Sequence, residues 1–149
     1  MKNTIFVALF SFALHSLNAQ TPVNWEFASR KIADKTYEIH LVATIQSGWH
    51  LYSQTQPGDA VALPTEIKFS ANPLVSVSGK IAEKGKMEKF HDEKLGISAN
   101  QYAEKVEFVQ VIKLKAKAKT NLAGTVQFQT CDDKKCLPPK KVNFNIAII

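Results

Sequence analysis

Apolar and polar residues alternate with a period of two along most of the chain. Tyr37, Ile39, Leu41, Ala43 and Ile45 alternate with Glu38, His40, Val42 and Thr44, the pattern of a strand with one face buried. On the same alternation His40 falls on the face turned to solvent. Val106, Phe108, Gln110, Ile112 and Leu114 interleave with Glu107, Val109, Val111 and Lys113. Leu122, Gly124, Val126, Phe128 and Thr130 repeat the pattern, as do Val142, Phe144, Ile146 and Ile148. Ser47-Gly48 breaks the first run, and Trp49-His50-Leu51-Tyr52 reads as the next short strand. Asn24 to Ser29, Glu66 to Ser70 and Leu74 to Ser78 supply further strands around turns at Pro64 and Asn72-Pro73. Only Ser98 to Glu104 carries even a weak helical period. Short strands at this spacing predict an all-β fold, a β-sandwich. No repeat, low-complexity tract or Gly/Ser linker divides it, so one domain is expected.

One stretch, Glu83 to Gly96, is too charged for a core and reads as a polar loop between strands. Phe90 stands alone in it and must pack somewhere, on the neighbouring sheet or over a site that the loop covers. At the other extreme, Thr4 to Leu17 is continuously apolar behind Lys2, with Ala19 at a cleavage position. That is the pattern of an export signal, and cleavage is expected after Ala19. The run is shorter than the roughly 20 apolar residues that span a bilayer, and His15 and Ser16 interrupt its end. No cysteine follows it to carry a lipid. Removing 19 of 149 residues leaves 130, enough for one domain with a real core.

Charge changes little. The chain has 19 Lys plus Arg against 13 Asp plus Glu; with Lys2 in the signal, 18 remain and the mature excess is +5. The lysines are spread rather than clustered, so no nucleic-acid partner is expected. Lys113, Lys115, Lys117 and Lys119 fall at intervals of two, which predicts a solvated strand face that discourages edge pairing.

The two cysteines sit in Thr130-Cys131-Asp132-Asp133-Lys134-Lys135-Cys136-Leu137-Pro138-Pro139, the connection between two predicted strands. In an exported domain they meet an oxidising compartment. A disulfide between them closes a loop of about six residues and constrains the unfolded chain by only about 2 kcal/mol, against nearly 5 for a loop of about 100. A staple gains more by joining distant strands, so the spacing favours a redox couple over a structural bridge. Lys134 and Lys135 favour a thiolate while Asp132 and Asp133 oppose it. A zinc site with His40, His50 or His91 is the weakest reading, because these histidines form no motif. The residues alone leave all three readings open.

The cysteine segment, Phe128 to Pro139, closely resembles the N-terminal periplasmic domain of DsbD, a thiol–disulfide interchange protein of the bacterial envelope. Gly48-Trp49-His50-Leu51-Tyr52-Ser53-Gln54 is similar to that family's aromatic strand, and Lys89 to Lys94 falls at its cap loop. The likeness runs from Val23 to Ile149. It implies an immunoglobulin-like sandwich over residues 20–149 with the cysteine pair in a hairpin at one end. It also implies a Cys131/Cys136 couple in which Cys136 takes the mixed disulfides and Cys131 resolves them. Phe90 would shield the pair, and His50 and Tyr52 would line the site. No cofactor or metal is implied. The implied partners are thioredoxin-like or cytochrome c maturation proteins of the periplasm. The chain departs from the family in placing His91-Asp92 after the cap Phe. No electron-carrying membrane domain follows, so a membrane thiol reductase is expected from another chain. The competing expectation is an immunoglobulin-like binding module whose disulfide is purely structural.

Overall fold

Strand β2, Thr36–Ile45, buries the residues that its alternation marks: Tyr37, Ile39, Leu41, Ala43 and Ile45 are at most 5% exposed. It is one of nine strands in the computed structural model, which describes residues 21–149; the predicted signal and its cleavage point lie outside the described residues. The others are β1 Val23–Ala33, β3 His50–Tyr52, β4 Glu66–Phe69, β5 Val75–Asp92, β6 Ile97–Leu114, β7 Thr120–Phe128, β8 Thr130–Cys131 and β9 Lys140–Ile148. Among the described residues no helix is long and apolar enough to cross a membrane.

The strands form two antiparallel sheets, one of β1, β2, β3, β5, β6 and β8, the other of β4, β7 and β9. Their inner faces meet in one core. Ile39, Leu41, Val106, Phe108 and Ile112 come from the first sheet, and Leu122, Val126, Phe144, Ile146 and Ile148 from the second. Trp25, Phe27, Phe128 and Phe144 join across the seam with ring centroids 5.2–6.2 Å apart. Gln110 is the polar member of the core face; its amide donates to the carbonyls of Ser78 and Val111, which makes its burial affordable.

β6 is the spine of the larger sheet. One edge pairs with β5 along its length, while the other pairs with β2 at 105–113 and then with β3 at Gln101 and Tyr102. The change of partner falls at a bulge. Gly85 opposes Val106 and Met87 opposes Tyr102, so Ala103, Glu104 and Lys105 face the single Lys86, with Glu104 in the left-handed region at φ 62°. A bulge of this kind bends and twists a strand. Glu83 pins the bend: Tyr102 Oη donates to its Oε2 at 2.6 Å, and the Gln54 backbone N–H to its Oε1 at 2.7 Å. Burial, reinforced by the Glu83 hydrogen bond, pushes the Tyr102 phenol far above its ordinary range.

Several expectations are corrected here. Glu83 to Gly96 is not a polar loop. Up to Asp92 it is the outer half of β5, which pairs with β6 on one edge and leaves most side chains exposed, so it has no apolar alternation to read. Ser98 to Glu104 lies in β6, not in a helix, because its backbone pairs with β5 and β3. The lysine series does not share one strand face. β6 ends at Leu114, and Lys115 to Lys119 lie in the turn that carries the chain to the second sheet. His40 is not freely exposed: its side chain is 15% accessible, with Nδ1 2.6 Å from Glu107 Oε1 and Nε2 3.3 Å from Glu38 Oε2.

Candidate functional site

The cysteine segment changes sheets. β7 and β9 are hairpin partners in the small sheet, but after Phe128 the chain steps across and β8 pairs with β3 of the large one. Gln129 holds the step, accepting from Leu63 N–H and donating to the Leu137 carbonyl. Cys131 and Cys136 then oppose each other across a tight turn. The flanking bonds run from Asp132 N–H to the Lys135 carbonyl and from Leu137 N–H to the Thr130 carbonyl. Those bonds make the cysteines a non-hydrogen-bonded antiparallel pair, the arrangement that brings opposed residues closest. Their Cα atoms are 4.0 Å apart and a disulfide joins them.

The two cysteines differ in access. Cys131 is 5% exposed and packs with Tyr52 and Ala99, with Ala62 against the group. Cys136 is exposed and lines a groove of about 580 Å³. Register explains the groove floor. Glu88 opposes Gln101 and Gln101 opposes Tyr52; Phe90 opposes Ala99; His50 opposes Cys131. Opposed residues, and residues two apart on one strand, share a face. Glu88, Phe90, Ala99, Gln101, His50, Tyr52 and Cys131 therefore stand on one side of the sheet, while Leu51 and Tyr102 point into the main core.

All five residues expected at the site, Cys131, Cys136, Phe90, His50 and Tyr52, come together here. Phe90 is 44% exposed on the groove wall and leaves Cys136 exposed. Tyr52 is buried, which pushes its phenol upward, and its carbonyl accepts from Thr65 Oγ1. Val61 and Leu95, also on the groove, were absent from the sequence reading and are 74% and 70% exposed. Their one signal was apolar character inside polar segments. His91, which follows the cap Phe, has Nδ1 2.9 Å from Ser98 Oγ, and Ser98 donates to Asp59 Oδ2. That chain ties the β5–β6 tip to the segment after β3.

The charge balance undecided in the sequence resolves by direction. Asp132 and Asp133 line the groove, whereas Lys134 and Lys135 do not. Asp132 Oδ1 accepts the backbone N–H groups of Lys134 and Lys135 at 2.8 and 2.7 Å, and these bonds hold its carboxyl below the usual range. A carboxyl whose folded value is depressed supports the fold above its unfolded value and loses that support as pH falls through the folded one. Asp132→Ala is therefore expected to lower the protection of the Lys134 and Lys135 amides several-fold at neutral pH, and acidification of the unaltered protein to lower it likewise once exchange is expressed relative to the intrinsic rate at each pH. Unchanged exchange in the variant would show that the carboxylate does not hold the turn. Among the described residues no group of three or more His, Cys, Asp or Glu side chains is arranged to hold a metal ion.

At one end of the immunoglobulin-like sandwich, then, stands a short-range disulfide with one exposed and one buried cysteine, an arrangement open to thiol–disulfide interchange. The chain belongs to the family of the DsbD N-terminal domain: the model of that family, described as thiol:disulfide interchange protein DsbD, N-terminal, matches residues 18–147. No curated protein sequence matches it. Among solved structures, the DsbD N-terminal domain of Neisseria meningitidis in the reduced form aligns with a TM-score of 0.54 and 17% identity over 85% of each chain. The N-terminal periplasmic domain of ScsB from Proteus mirabilis aligns with a TM-score of 0.61 and 18% identity, over 87% of this chain and 48% of that one. The complex between the DsbD and PilB N-terminal domains of Neisseria meningitidis aligns with a TM-score of 0.52 and 18% identity, over 86% and 87%. At such identities the likeness shows a shared fold.

Proposed function

We propose that residues 20–149, exported to the periplasm after loss of a signal at 1–19, relay reducing equivalents through the Cys131/Cys136 couple. The donor is a membrane thiol reductase on another chain, and the acceptors are thioredoxin-like or cytochrome c maturation proteins. The observation that carries this reading is the unequal access of the two cysteines. An incoming thiolate reaches Cys136 Sγ from the groove, forms a mixed disulfide there, and releases Cys131 as thiolate. A second thiol on the donor then breaks the mixed disulfide and leaves both cysteines reduced. In the delivering half-cycle Cys136 attacks the acceptor disulfide. Cys131, held beside it, attacks Cys136 Sγ and frees the reduced acceptor.

Phe90, Val61 and Leu95 give the groove an apolar rim beside Cys136, suited to a partner whose own cysteine is ringed by apolar residues. The shielding by Phe90 that the resemblance implies would need the ring to lie over Cys136, which it leaves exposed here. A related DsbD domain is known in complex with the PilB N-terminal domain, which supports a protein partner. Equilibration in glutathione buffers tests the relay. A structural bridge has a reduction potential below about −300 mV, so the couple is expected to lie above that value. A potential below it would leave the disulfide a structural part of a binding module.

A further inference from the structure

We infer that His50 stabilises the Cys131 thiolate during exchange, so that the couple is faster while this imidazole carries a proton. The inference deepens the relay reading and rests on it. Register places His50 directly opposite Cys131 on neighbouring strands, and directly opposed residues carry their Cβ atoms about 4.5–5.5 Å apart on one face. The imidazole is half-buried, 21% accessible, and lines the groove with Cys136.

Cys131 needs such a neighbour. It is the leaving sulfur when Cys136 is attacked, and at 5% exposure its thiolate is poorly solvated. The other charged side chains on the groove make this worse. Asp92 from β5 and Asp132 and Asp133 beyond β8 are acids, and among the described residues lining the groove His50 is the one basic group. The β6 residues that line the groove, Ile97, Ser98, Ala99 and Gln101, are neutral, as is Tyr52 on the histidine's own strand. Glu88 on β5 lies with Oε2 3.9 Å from His50 Nε2. A protonated imidazole at this position offsets these carboxylates at the sulfur.

The step balances. The attacking thiolate bonds to Cys136 Sγ, the bond to Cys131 Sγ breaks with its electron pair on Cys131, and that anion pairs with imidazolium or takes its proton. Histidine changes charge between pH 5 and 8, so the help is present at the acid end and fades toward the basic end.

The test is reduction of the oxidised protein by dithiothreitol, with rates expressed per reductant thiolate from pH 6 to 8.5. The native rate is expected to fall as pH rises, whereas His50→Gln is slower by about tenfold at pH 6 and flat. That is below the roughly 10²–10⁴ of proton-transfer catalysis, because a thiolate already leaves readily. Thiolate absorbance in reduced Cys136→Ala supplies an equilibrium measure: adding His50→Gln is expected to raise the Cys131 titration by about one pH unit. Loss of packing alone leaves the slope unchanged and, by exposing the sulfur to water, lowers the Cys131 titration instead of raising it. A native profile unchanged by His50→Gln, or an unmoved Cys131 titration, overturns the assignment to His50 while leaving the relay intact. A native disulfide that dithiothreitol cannot reduce removes the relay and this inference together.

Discussion

Cys131→Ala is expected to trap partners as mixed disulfides, and Cys136→Ala is not. In the first variant the exposed Cys136 attacks a disulfide and nothing behind it can release the product, so the covalent complex accumulates. In the second the remaining thiol is 5% exposed, packed against Tyr52 and Ala99. It reaches an external disulfide from a site that burial makes both less accessible and less ionised. Its reaction with a small aromatic disulfide is expected to be slower than that of Cys136 by about a hundredfold at pH 7. Stopped-flow absorbance on the two single-cysteine proteins measures the ratio directly. Equal rates would mean that access does not set the roles and would return both cysteines to equal standing.

Gly124→Ala is expected to cost on the order of 3 kcal/mol, the upper end of overpacking penalties. A methyl at this position would lie 2.4 Å from the Lys68 carbonyl oxygen and 2.4 Å from Phe144 Cζ. The ring could swing, but the carbonyl belongs to β4, which pairs with β7 at this point: Phe69 opposes Gly124. The two strands must separate to admit the methyl. For a domain of this size the change lowers Tm by about 10 °C, readable by far-UV circular dichroism during a thermal scan. Gly85→Ala is milder, because its nearest contacts are 3.1 Å from the Lys105 carbonyl and 3.2 Å from the Tyr102 ring. A native-like Tm for Gly124→Ala would show that β4 is not held as closely to β7 as the structure has it.

The parts of the fold legible in the sequence are those with one buried and one solvated face. β2, β7 and β9 bury the residues that their alternation marks, and the inner half of β6 does so with Gln110 included. The outer half of β5 was illegible for a physical reason: it borders one strand, faces water on most sides, and carries lysines and glutamates where a buried strand would carry valines. The cysteine pair stood out through motif resemblance, and Phe90, His50 and Tyr52, expected beside it, share its side of the sheet. What no local pattern could supply was register. That Phe90 stands opposite Ala99, and His50 opposite Cys131, depends on a three-against-one bulge at Lys86 and on the chain leaving the small sheet after β7 to form β8 in the large one. Gln54 shows the same limit from the other side. It was readable as part of a motif, yet its work, bonding Glu83 at the bend beneath the site, appears only in three dimensions.

The short span of the disulfide has a thermodynamic consequence. Cys131 and Cys136 are five positions apart, joined across one turn, while the nine strands and the main core are held without them. Closing so small a loop shifts folding stability by about 2 kcal/mol, which for a two-electron couple corresponds to about 45 mV. Loop closure therefore biases the redox equilibrium by about that amount, and the larger part of the couple's poise is left to the groove around the sulfurs. A domain arranged in this way can change oxidation state many times on one scaffold, with the difference written only on the surface its partners touch.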